Sequence, residues 1–155
     1  MAADRPLTRG EIALARSVFG PAIEYASVRI ARRKWAFFQP RDTVMAPMGS
    51  IHFHPRGSSY RGDFETGSLD DQALFIHEMT HVWQAQHGGR WYLPLMRHPF
   101  CRYDYAFRPG KPLSRYGIEQ QAEIVTHAFL LQQGARLPDA PSLADYERIL
   151  PFCAG

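Results

Sequence analysis

The stretch LFIHEMTHVWQAQHGG, Leu74 to Gly89, constrains this chain more than any other. It sets His77, Glu78 and His81 into an otherwise apolar run, and ionisable groups inside a core are costly unless they are paired or hold a cation. Phe75, Ile76, Met79, Val82 and Trp83 recur at three- and four-residue spacing, which predicts a helix rather than a strand. Ser68 is a good N-cap, and Asp70 and Asp71 suit the positive first turn. Gly88 and Gly89 stop the helix near His87.

On that helix His77 and His81 share one face, with Cβ atoms about 5–6 Å apart. Two imidazoles so placed converge on one zinc ion at about 2.0–2.1 Å. Glu78, next to the first imidazole, points to the open side, where it accepts a proton from water. This is the H-E-x-x-H pattern of zinc hydrolases. A catalytic zinc takes three protein ligands and leaves a position to water, so a third donor must come from elsewhere.

YGIEQQAEIVTHAF supplies it. A second long helix is predicted near residues 115–133, with Ser114 as N-cap, Gly134 as stop and an apolar stripe of Ile118, Ala122, Val125 and Phe129. Glu119 and Glu123, four apart, share a face at the edge of that stripe, with His127 a turn further on. Spacing alone leaves either glutamate as the third ligand.

The pair of motifs resembles the gluzincin class of zinc metallopeptidases, which joins H-E-x-x-H to a downstream E-x-x-x-D helix. By that resemblance Glu119 is the third ligand, and Glu123 stands where the family's aspartate holds a ligand histidine by hydrogen bond. Glu for Asp is a departure, one methylene longer. The resemblance implies an α+β zincin-like single domain over residues 1–155. Its small mixed sheet, from residues 22–56, packs on the metal-binding helix, with the second long helix crossing beneath. HEMTHVWQ, the Tyr-rich loop and YGIEQQAEIV, together with LTRGEIALARSVFG and SIHFHPRG, are also similar to small bacterial proteins labelled Vgr-related or Rhs-associated. That similarity implies a place near type VI secretion or toxin components.

Peptide hydrolysis also needs a donor to the oxyanion. Tyr103, Tyr105, Tyr116 and His98 are available. Tyr116 is nearest in sequence to Glu119, and His98 lies in a long irregular stretch, residues 90–112, of the kind that covers clefts. In SIHFHP, alternation puts Ile51 and Phe53 on one strand face and His52 and His54 on the other. Such a strand suits pairing with an extended peptide.

The rest bounds the reading. Thr8 and Glu11 form a capping box ahead of Ile12, Ala15, Val18 and Phe19, and Gly20-Pro21 ends that helix. No window approaches the roughly 20 apolar residues of a membrane span. The N-terminus lacks the basic start and long apolar block of a secretory signal. Location is therefore expected to be cytoplasmic, or outside by a signal-peptide-independent secretion system. Cys101 and Cys153 make no metal-binding pair and are expected to be reduced. The +3 charge gathers largely in RIARRKW, a single short cluster, too little for a nucleic-acid interface.

The expectation is a zinc-dependent peptidase held by His77, His81 and Glu119, with Glu78 as general base. Its partners would be a peptide or protein substrate and a secretion apparatus. The rival reading is a catalytically inactive zinc-binding adaptor of that apparatus.

Overall fold

The computed structural model describes residues 4–36, 39–46, 49–88 and 102–152. His98, Cys101 and Cys153 fall outside the described residues. The architecture is mixed α+β. A small sheet of strands β1 (Arg5–Pro6), β2 (Arg29–Ala31) and β3 (Ile51–His52) accompanies helices α1 (Arg9–Phe19), α2 (Leu69–Gly88), α3 (Ile118–Gln132) and α4 (Leu143–Glu147).

The helices begin where local chemistry dictates. Thr8 and Glu11 close the expected capping box on α1. Gly20, at φ 54°, lets the chain turn out of that helix. At the head of α2 the Asp71 N–H donates to Ser68 Oγ at 3.1 Å, and the Ser68 N–H donates to Asp71 Oδ2 at 3.1 Å. Helix α3 starts at Ile118, later than expected. Leu113–Arg115 forms a 3₁₀ turn, Tyr116 is extended, and Gly117 caps the helix, its N–H donating to the Gln120 side chain at 2.8 Å. Gly134, at φ 86°, follows the end of α3.

The sheet differs more from expectation. Two 3₁₀ turns, Gly20–Ala22 and Tyr25–Ser27, interrupt the start of the segment expected to be extended. Tyr25 and Val28 enter the core as plugs rather than as strand residues. Strand β1 pairs antiparallel with β2, and β2 pairs parallel with β3. The segment around His52 offers no open edge, because Met45 and His52 exchange both backbone hydrogen bonds, at 3.0 and 2.7 Å, and the Phe53 N–H donates to Ala31 at 2.8 Å. The His52 side chain is buried, as are Ile51 and Phe53, so residue alternation here does not separate core from solvent.

Helix α2 is the centre of the molecule. Phe75 stacks on Phe64, and Phe64 on Phe53, while Ile76, Met79 and Val82 join Ile124, Val125 and Phe129 of α3 in one core. Helix α2 also buries Glu78, Thr80, His81 and Gln84. These polar groups sit inside the fold opposite buried Glu119 and Gln121 of α3, so the two helices enclose a polar seam within an apolar core.

Candidate metal centre

The seam brings together the donors that spacing singled out. One ligand atom each from His77, His81 and Glu119 lies within 4.8 Å of the others. His77 Nε2 is 3.7 Å from Glu119 Oε1, and the same carboxylate oxygen contacts His81 Nε2. The two rings meet edge to face at 5.1 Å. Three nitrogen and oxygen donors converging from two helices form a set zinc accepts.

The groups behind these donors fix their orientation. His81 Nδ1 is 2.8 Å from Gln84 Oε1. The Gln84 amide nitrogen donates to the Ile118 carbonyl and to Gln121 Oε1, both at 3.0 Å. Because that end must be the NH₂, Oε1 faces His81 and takes a proton from Nδ1. With Nδ1 so committed, Nε2 is the nitrogen that faces Glu119 and would meet an ion there. Glu123 does the corresponding work for His77: its Oε1 is 3.4 Å from His77 Nδ1. Glu119 therefore joins the cluster with His77 and His81, and Glu123 stands behind His77.

Electrostatics fit a cation site. Burial pulls the His77 pKa down, but the carboxylates of Glu119 and Glu123 outweigh it and hold it at about 10. Burial pushes Glu119 up, yet hydrogen bonds from His77 and His81 hold it well below the usual carboxylate range. Glu123 is lowered chiefly by its contact with His77.

Glu78 is buried beside His77, and its charge acts on that imidazole. Tyr116 is placed elsewhere. It is buried in the core, and its hydroxyl accepts the Arg108 N–H at 3.0 Å. The tyrosine at the trio is Tyr103, 48% exposed. Its ring stacks on His77 at 6.1 Å and 18°, and its hydroxyl hydrogen-bonds Glu119. Sequence reasoning named Tyr103 as one of four candidate donors without choosing it, and did not name Gln84. Gln84 had a signal, since it lies one turn beyond His81 on the same helix. His127 bridges Glu123, at 3.4 Å, to the Tyr105 hydroxyl, at 2.6 Å.

No family model matches the chain. It is 45% identical over 136 residues to the type VI secretion system spike protein VgrG2b of Pseudomonas aeruginosa, a match covering 83% of this chain. The chain spans 13% of that spike protein's length. Its fold matches the solved effector domain of Pseudomonas aeruginosa VgrG2b with a TM-score of 0.75 and 39% identity, over 94% of this chain and 80% of that one. Agreement of sequence and fold over this extent makes the chain a member of the VgrG2b effector-domain family, within the Vgr-related proteins of type VI secretion.

Proposed function

We propose that the chain is a zinc-dependent peptidase domain of gluzincin type, carried out of the cell by a type VI secretion system without a signal peptide. The observation that carries this reading is the convergence of His77, His81 and Glu119 beside buried Glu78. His77, His81 and Glu119 would hold the ion. When bound, zinc supplies a Lewis acid that polarises a peptide carbonyl and acidifies a water.

The chain's own residues do the rest. Glu78 takes the proton from the attacking water and delivers it to the leaving amine, as a positioned general base and then acid. Burial beside His77 keeps its carboxylate close to the reacting atoms. Tyr103, exposed and poised at Glu119, is placed to donate its hydroxyl to the developing oxyanion. Tyr116 is buried in the core, its ring against Tyr105, and has no such exposed hydroxyl. Gln84 and Glu123 hold the imidazoles in register.

Glu78→Gln separates binding from chemistry. Zinc content by atomic absorption should stay near one per chain. Cleavage of denatured casein or a quenched peptide library should fall at least a hundredfold. Turnover retained in that variant would remove Glu78 from its role. Loss of zinc would make it a structural partner of the ligands instead.

A further inference from the structure

A cleft of about 610 Å³ opens against the metal centre, walled in part by Tyr103, Tyr105, Phe107 and Leu137 and reaching Glu123. Its volume lies within the range of sites that enclose a small organic group, about 300–1,000 Å³. Two of its residues belong to the centre itself: Tyr103 stacks on His77, and Glu123 holds His77 Nδ1. A peptide lying across the trio would therefore have a side chain at the mouth of this cleft.

The chemistry of the lining selects that side chain. The walls are aromatic and aliphatic, and the Tyr105 and Tyr146 hydroxyls are 2.6 Å apart, engaged with each other rather than facing a ligand. The charged groups of the lining are Asp104, Glu123 and Asp139, and among the described residues no lysine or arginine lines the cleft. The backbone at both aspartates is constrained. The Asp104 carbonyl accepts the Gln120 side chain at 2.7 Å, and Asp139 sits at φ 63° between Pro138 and Pro141. Apolar walls with an anionic rim match a long aliphatic stem ending in a cation, which buries its methylenes and keeps its charge at the edge. Tyrosine faces add an attraction for the same cation.

Resting on the peptidase reading, we infer that this cleft is a specificity subsite for a lysine or arginine side chain next to the bond that is cut.

The test uses zinc-loaded full chain and quenched peptides that differ only in Lys, Arg, norleucine or Glu beside the cleavable bond. The expected result is a kcat/KM at least tenfold higher for Lys and Arg than for norleucine, with Glu lowest. The Asp104→Asn, Asp139→Asn double variant keeps shape, and Asn tolerates the left-handed backbone at 139. It should reduce the preference to under threefold, mainly through KM. A second arm is independent of turnover: N-acetyl-lysine amide and N-acetyl-norleucine amide are titrated while the amide signals of Leu137, Asp139 and Ala140 are followed. Lysine-selective shifts without any cleavage would sink the peptidase reading and leave the subsite standing. Cleavage with no basic preference, preference undiminished in the double variant, or equal shifts with both amides would overturn the subsite.

Discussion

At the scale of single residues, the site depends on which nitrogen of each histidine carries a proton. Gln84 decides this for His81, because its two donor contacts leave only its oxygen to face the ring. Replacing it by Met keeps the volume and removes the acceptor. Gln84→Met should lower zinc affinity about 10–100-fold, read by competition with a chelator, and should shift the His81 ring nitrogen resonances toward a tautomer mixture. Unchanged affinity with an unchanged tautomer would show that Gln84 serves packing alone. His77 gives a pH signature. Its folded pKa is raised to about 10 from an ordinary 6.5, so the proton it holds stabilises the metal-free fold fully below 6.5 and is lost as pH rises toward 10. A metal ion must displace that proton. Zinc affinity should therefore climb with pH between 6.5 and 10, with proton release detectable by calorimetry in buffers of different ionisation enthalpy; a flat profile would contradict the ligand role of His77. Much of this site was legible. Spacing alone placed His77, Glu78 and His81 on one helix, and the resemblance chose Glu119 over Glu123. Tyr103 was one of four candidate donors, and nothing local set it apart, because its approach to His77 is a tertiary contact that no local pattern encodes. Tyr116 was favoured by nearness in sequence, and proximity along a chain is a weak guide to proximity in space.

At the scale of elements, the helices were readable and the sheet was not. Capping boxes are local, so Thr8 with Glu11 fixed the start of α1, and Ser68 N-capped α2. The strands are two or three residues long, and their pairing is set by distant partners. One such partner is Glu11. Besides capping α1, its fully buried carboxylate accepts both guanidinium arms of Arg5, at 3.0 and 2.9 Å, and the Phe64 N–H at 3.0 Å. It thereby ties β1, α1 and the loop before α2 together. A capping box announces only the first of these jobs. Glu11→Ala takes from Arg5 its carboxylate partner and from the buried Phe64 N–H its acceptor, and should cost about 3–5 kcal/mol of folding stability. Urea unfolding followed by tryptophan fluorescence measures it; a loss under 1 kcal/mol would reduce Glu11 to a simple cap.

At the scale of the whole molecule, the trio joins the two longest described helices, which pack on each other in the core. His77 and His81 come from α2 and Glu119 from α3, so an ion between them cross-links elements about forty residues apart in sequence. Composition and periodicity showed that both helices exist, and the polar groups inside their apolar runs hinted that they face each other. The crossing itself follows from tertiary fit: Ala122, between Glu119 and Glu123, is fully buried, as are Met79 and Val82 of α2. No described helix is long and apolar enough to cross a membrane. Everything proposed for this molecule turns on the coordination of a single ion. X-ray absorption at the zinc edge, on protein loaded with one equivalent, reads that coordination directly. The account expects only nitrogen and oxygen neighbours at about 2.0–2.2 Å, including two imidazoles, with that signal lost in His81→Ala. A sulfur shell near 2.3 Å, which would bring in the cysteines, or a spectrum unchanged in His81→Ala, would contradict it.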